Sequence, residues 1–235
     1  MVTPCDFSLG HYRQVLQEAK GRGYQFRLCR EFASAPVTDG QVLVLRHDVD
    51  CSLDWSRQVA ALEYEEGVRS TVFIRVDAKF YDASSPANRR VLRWLVEHGF
   101  EIGLHYTLPA ESTGLAADVE SVCRNKARLE DLAGCSIDGL AEHMPRRRGR
   151  DVVAGQEAII ERLLRDGAFR YDAYSPLFLS GLTYLSDTNQ NWRRGCVHTW
   201  LGREPKLYVL THPVWWFVRS AERRDAIIQS LREGW

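Results

Sequence analysis

Residues 41–50 read QVLVLRHDVD, an apolar run rich in β-branched residues that ends in two carboxylates at alternate positions, Asp48 and Asp50. The run is of strand length and too short for a helix, which places a buried strand near 41–47. Side chains two apart on a strand share a face, so both acids point to one side at the strand's C-terminal end. Two close carboxylates repel unless a cation or a shared proton relieves them. A polar strand end with solvated acids, one of them capping the next helix, is the plain alternative.

Outward from this stretch, the same kind of run recurs at 71–76 (TVFIRV), 100–105 (FEIGLH), 137–143, 169–172, 182–187 (LTYLSD) and 206–212 (KLYVLTH). Helical periodicity fills the intervals. Ser52 caps a segment carrying Trp55, Val59 and Leu62, and Pro86 opens one carrying Val91, Leu92, Leu95 and Val96. Gly67 and Gly99 stop these two. Further helices fit 115–133, 151–166 and 219–233, and one near 8–21 precedes the first strand. The alternation predicts an α/β fold of parallel units. Roughly seven strands with helices outside suggest a distorted, incomplete (β/α)7-type barrel, although periodicity alone does not separate a barrel from a flat sheet. In β/α barrels the C-terminal strand ends carry the active site.

At 235 residues, 45% of them hydrophobic, the chain suits one domain over 1–235. Lysine plus arginine balance aspartate plus glutamate at 31 each, which argues against nucleic acid or an anionic membrane as partner. The six cysteines are scattered singly, with no CxxC pair, so reduced thiols that ligate nothing are expected. With no signal-peptide pattern at the start and no stretch approaching about 18 apolar residues, the expected location is the cytoplasm.

Other strand ends repeat the chemistry of the first. GFEIGLHY places His105 there, and LAEHMP places His143. One histidine at such a position is usually structural, but two with a carboxylate at one rim form a 2-His-1-carboxylate set. That set suits Zn2+, Fe2+, Co2+ or Mn2+ and leaves positions open for water and substrate. YVLTHP ends a strand with His212, a proton donor or acceptor by its ordinary pKa. In YLSDTNQNW, Asp187 either orients an imidazole or caps a turn. Trp192, Trp215 and Trp216 either stack on a sugar ring or belong to the core. Arg146, Arg147, Arg148 and Arg150 form a solvated loop or recognise an anionic substrate group.

Taken in order, RHDVD, STVFIRV, GFEIGLHY, the strand-end His143, SDT with Trp192, and LTHPVWW resemble the polysaccharide deacetylase family, the NodB-homology or carbohydrate esterase family 4 group. The match runs from about Tyr12 to Trp216 and is similar to an intracellular branch with RHDVD in the first motif. The resemblance implies a NodB-like barrel binding one divalent metal, usually zinc, and removing an acetyl group from an N-acetylated sugar. It implies Asp48 as general base, Asp50 and His105 as metal ligands, His212 as catalytic acid, and Asp187 with Trp192 as the acid and aromatic of the fourth motif. In the family's second motif another metal histidine stands four residues after the first. Here that position is Pro109, which cannot ligate, and His143 is the candidate replacement. The arginine-containing third motif is not legible, although Arg146 is nearby.

The expected function is therefore metal-dependent hydrolysis of an acyl, chiefly N-acetyl, group on a small soluble sugar or sugar conjugate. Trp192, Trp215 and Arg146 are the candidate substrate contacts. The alternatives are a metal-dependent amidohydrolase acting on a non-sugar C–N bond and a catalytically silent carbohydrate-binding relative.

Overall fold

The structure, a computed structural model, describes residues 5–37, 39–107, 114–143 and 150–233. In chain order its elements are α1 (Leu9–Gly21), β1 (Gln25–Arg27), α2 (Cys29–Ser34), β2 (Val42–Val49), α3 (Leu53–Glu65), β3 (Thr71–Ile74), α4 (Pro86–Glu97) and β4 (Glu101–Tyr106). Then follow α5 (Leu115–Ala133), β5 (Gly139–Glu142), α6 (Arg150–Arg165), β6 (Tyr171–Asp172), α7 (Pro176–Leu179), β7 (Thr183–Ser186), β8 (Lys206–Thr211) and α8 (Ala221–Glu233).

The strands form one sheet in the order β6-β5-β4-β3-β2-β8-β7, with β1 alongside the start of β2. All pairings are parallel. Among the described residues β6 and β7 do not pair, so the sheet curls into an open half-barrel with helices outside. This is the distorted, incomplete barrel expected from the alternation. β1 is an addition that its three residues made illegible, and β6 keeps only two residues of the run expected at 169–172.

Local chemistry places the helix starts. The Ser8, Ser52 and Ser85 hydroxyls accept from the backbone N–H of His11, Trp55 and Asn88, and Pro86 fills the first helical position of α4. Gly67 and Gly99 follow α3 and α4 with φ of +71° and +81°, a conformation glycine takes without strain.

Strand alternation then divides the apolar residues into an inside and an outside. Val42, Val44, Phe73, Ala141, Tyr171, Phe178 and Tyr208 fill the barrel interior. Their alternates Leu43, Leu45, Leu207 and Val209 pack outward beneath α1, α3 and α8. On the other flank Val72, Ile74, Ile102, Leu104 and Leu140 meet α3 to α6. With both faces covered, β2 is buried along its whole length. Arg46, Asp48 and Asp50 continue the inward series of Val42 and Val44 toward the C-terminal rim.

Candidate metal centre and acid–base pair

The outward alternate of that series, His47, shows why RHDVD divides its labour. Its Nε2 lies 2.7 Å from Glu63 Oε1 on α3 and its Nδ1 2.6 Å from Thr211 Oγ1 on β8. Ser70 Oγ and Tyr12 OH also donate to Glu63, so this network clamps β2 to the helices outside. Inside, Asp48 is 1% exposed and is gripped by Arg46, 0% exposed, through Nη2–Oδ2 and Nε–Oδ1 contacts of 2.7 and 3.1 Å. Arg46 Nη1 donates to Tyr208 OH at 2.8 Å and the Ala173 carbonyl at 3.2 Å, and its guanidinium lies over the Tyr174 ring. A buried guanidinium needs such a set of acceptors. Burial pushes the Asp48 carboxyl up, but the Arg46 charge and hydrogen bond together with the nearby His105 and His212 imidazoles outweigh it, so Asp48 sits below the usual carboxylate range. The sequence reading missed Arg46, although its place two residues before Asp48 on the same strand face was a signal for it.

Asp50 lies just past β2 and meets two imidazoles. Its Oδ1 is 3.4 Å from His105 Nε2 and 3.3 Å from His143 Nε2, and the three ligand atoms lie within 4.8 Å of one another. His105 ends the inward series of β4, Glu101 and Gly103. His143 follows β5, where its backbone N–H donates to the Tyr106 carbonyl at 2.8 Å. His105 Nδ1 donates to the Ala141 carbonyl at 2.9 Å, which turns Nε2 toward Asp50 and leaves it as the ligating nitrogen. The arrangement fits a metal. Two donors bonded at zinc distances of about 2.0–2.1 Å in a tetrahedron stand about 3.3–3.4 Å apart, the spacing found here. Asp50 Oδ1 is moreover a buried oxygen with no hydrogen-bond partner among the described residues. Burial pushes the Asp50 carboxyl up, yet the two adjoining imidazoles hold it well below the usual range. Burial pushes the His143 imidazole down to about 3, against the pull of Asp50, so it is neutral, as a ligand must be.

Across the rim, β7 and β8 carry the second half of the site. Asp187, fully buried after β7, accepts from the His212 backbone N–H at 3.0 and 3.1 Å, from His212 Nδ1 at 2.6 Å and from Trp216 Nε1 at 3.1 Å. Burial alone would lower the His212 pKa, but the Asp187 hydrogen bond and charge raise it to about 9, with smaller contributions from Asp50 and Asp48. The His212 side chain is 13% exposed, and with Nδ1 engaged its Nε2 is the nitrogen available to a substrate.

The remaining candidates fall elsewhere. Trp215 is 2% exposed and packs with Leu45 and Val209 in the outer core, which corrects its expected role of stacking on a sugar. Trp192 is half-buried, with the Phe7 ring stacked on it at 6.4 Å between centroids. Arg146, Arg147 and Arg148 lie outside the described residues, as does Pro109.

No family model matches the chain and no curated protein matches it. Solved structures do. A Streptococcus mutans CE4 esterase is 14% identical with a TM-score of 0.55, over 86% of this chain and 85% of that one. IcaB from Ammonifex degensii is 18% identical with a TM-score of 0.52, over 69% and 73%. A CE4 family pseudoenzyme from Bacillus anthracis is 17% identical with a TM-score of 0.51, over 84% of this chain, which spans 63% of the pseudoenzyme's length. At such identities the likeness is one of architecture: the chain has the fold of the CE4 carbohydrate esterases and deacetylases.

Proposed function

We propose that this chain is a metal-dependent hydrolase that removes an acyl group, foremost an N-acetyl group, from a small soluble sugar or sugar conjugate. The observation that carries the proposal is the Asp50–His105–His143 donor set at metal spacing, with Asp48 beside it and His105 Nε2 only 3.9 Å from Asp48 Oδ2. Three ligands on a tetrahedral metal leave a position open, which is the mark of catalytic rather than structural sites. The likeness of fold to a CE4 esterase and to IcaB supports the same reading.

The metal would supply Lewis-acid polarisation of the acyl carbonyl and a more acidic water. Asp48, ionised and held in place by Arg46, takes the proton of the attacking water on its carboxylate. His212, protonated and oriented by Asp187, gives the Nε2 proton to the departing amine. Arg46 keeps the base from collapsing onto the nearby imidazoles, and Asp187 fixes the ring so that the proton sits on the nitrogen facing substrate. These residues run from Arg46 to His212, in keeping with one domain that supplies the whole site. For metal identity, the nitrogen and carboxylate donors favour Zn2+ and also accept Fe2+, Co2+ or Mn2+. Among the described residues no helix is long and apolar enough to cross a membrane, in keeping with a soluble substrate and a cytoplasmic setting.

A silent relative is the reading to beat, since one protein of similar fold is a pseudoenzyme. The retained Arg46–Asp48 and Asp187–His212 pairs favour activity, because a binding module has no use for a poised base and a poised acid. The test is acetate release from a panel of N-acetylated sugars by zinc-loaded protein. Release by the wild type, lost in Asp48→Asn with metal content unchanged, supports the proposal. Ring opening of cyclic amides without acetate release would move the assignment to an amidohydrolase. Sugar binding without turnover under any metal would leave a carbohydrate-binding protein.

A further inference from the structure

A second group of metal-ligating side chains lies away from the rim. Cys5, His11 and Cys196 bring one donor atom each to within 4.8 Å of one another. They come from three places: the segment before α1, the first turn of α1, and the loop ahead of the short 3-10 turn Val197–Thr199. His11 is 8% exposed, Cys196 is buried, and His11 Nε2 stands 3.3 Å from Cys196 Sγ. In a tetrahedral zinc site with bonds of about 2.3 Å to sulfur and 2.0–2.1 Å to nitrogen, a sulfur and a nitrogen ligand are about 3.5 Å apart. The pair already has nearly that spacing. All six cysteines are free, so the thiols are available.

A fourth donor stands next to the group. His198, two residues after Cys196, presents its ring edge-on to His11 with centroids 5.1 Å apart. Its Nδ1 is a buried nitrogen with no hydrogen-bond partner among the described residues. Buried polar atoms left in this way call for a ligand, a water or an ion. The backbone around the group is also held in an unfavourable conformation. Phe7, two residues after Cys5, has φ of +53°, a conformation unfavourable for a bulky non-glycine residue that persists only where the surroundings enforce it. That bend lays the Phe7 ring against Trp192 and Trp216.

We propose that Cys5, His11 and Cys196 form a second metal site, for zinc with a structural role, which His198 closes to Cys2His2 by turning in as the fourth ligand when the metal binds. Two thiolates and two imidazoles select a soft or borderline cation and fill its tetrahedron, leaving no position for substrate. The site joins the segment before α1 to the loop following β7. Phe7 of the first stacks on Trp192 of the second and lies against Trp216, whose indole N–H holds Asp187 and through it His212. Zinc bound there stiffens the wall behind the proposed acid without touching the reacting atoms. The inference stands apart from the proposed activity, since it uses none of the rim residues.

Cobalt distinguishes the two centres, because only thiolate ligation gives an intense sulfur-to-cobalt charge-transfer band in the near ultraviolet. Protein purified under reductant is stripped with chelator and titrated with Co2+ and, separately, Zn2+. The expected result is a thiolate band in the wild type that disappears in Cys5→Ser with loss of one metal equivalent per chain. In His143→Ala the band persists while the other equivalent is lost. Cys5 is only half-buried, so its serine variant keeps the test valid if Cys196→Ser fails to fold. Absence of a thiolate band in folded wild-type protein would overturn the assignment, as would a band that survives Cys5→Ser undiminished. A Cys5–Cys196 disulfide in protein kept under reductant would overturn it equally. Absence of any His143-dependent equivalent, with the thiolate band intact, would count against the rim site and leave this one standing.

Discussion

At the scale of single residues, the site depends on pairs in which one member sets the charge of the other. His212 is raised to about 9, since the Asp187 hydrogen bond and charge outweigh the burial that would lower it. It therefore carries its proton below about pH 9 and loses it above. Activity that needs the protonated acid should fall as pH rises through that value. Asp187→Asn removes the charge that raises the pKa, and the descending limb of the kcat/KM profile should move to lower pH by about one unit or more. An unmoved limb would mean that His212 is not the acid. His212→Ala should cut turnover roughly 10²–10⁴-fold with metal content unchanged. On the other side, Arg46→Gln strands a buried carboxylate, and breaking such a pair costs about 3–5 kcal/mol. A fall in denaturant-derived stability of that size, together with an ascending pH limb displaced upward, is the expected signature. Asp50, His105 and His143 were legible in the sequence because each follows an apolar run, and a polar residue at that point has one plausible direction. Arg46 and the Asp187–His212 contact were harder. An arginine within a strand reads as ordinary, and 25 residues separate the second pair, so only the adjacency of β7 and β8 joins them.

At the scale of elements, the inward faces of the strands balance large residues against small ones. On β4 the inward series is Glu101, Gly103 and His105. A Cβ on Gly103 would stand 2.4 Å from the Phe73 ring of β3, against which no backbone shift is free, because β4 is paired on both sides. Gly103 is thus a packing partner of Phe73, and it lets β4 pass close enough for His105 to reach Asp50. Gly103→Ala should destabilise the protein by about 1–3 kcal/mol through overpacking. Phe73→Leu should cost stability alone yet recover part of the loss when combined with Gly103→Ala, as a double-mutant cycle would show. Additive losses would refute the pairing. Helix starts at Ser52 and Pro86 were readable because capping chemistry is local. Strand β1 was not, since three residues carry no period and its existence depends on a partner distant in sequence, and the strand expected at 169–172 shrinks to the two residues of β6 for the same want of period. The Cys5–His11–Cys196 group escaped for the same reason. A separation of 191 residues between its thiols resembles no metal motif, and only folding brings α1 to the loop after β7.

At the scale of the whole molecule, the rim site draws its donors from three strands of one sheet. Asp50 follows β2, His105 stands near the end of β4 and His143 follows β5, so a metal held by them would tie β2 to the adjacent pair β4 and β5 across β3. Parallel pairing and helix placement were legible from alternation, because parallel units leave few ways to connect. The gap between β6 and β7 was not, since closure depends on strand lengths that the sequence sets only within a few residues. In an open barrel, a ligand that binds the folded state alone stabilises it by RT ln(1 + [L]/Kd), about 4 kcal/mol at a thousandfold excess over Kd. For a chain of this size each kcal/mol moves Tm by about 2–4 °C. Measured in Cys5→Ser, so that the thiol-containing site does not contribute, chelation should lower Tm by roughly 8–16 °C and added zinc should restore it. Adding His143→Ala should abolish the zinc response while leaving a folded barrel. A zinc-induced rise in Tm that is unchanged by His143→Ala would show that the Asp50–His105–His143 set is not what the metal holds.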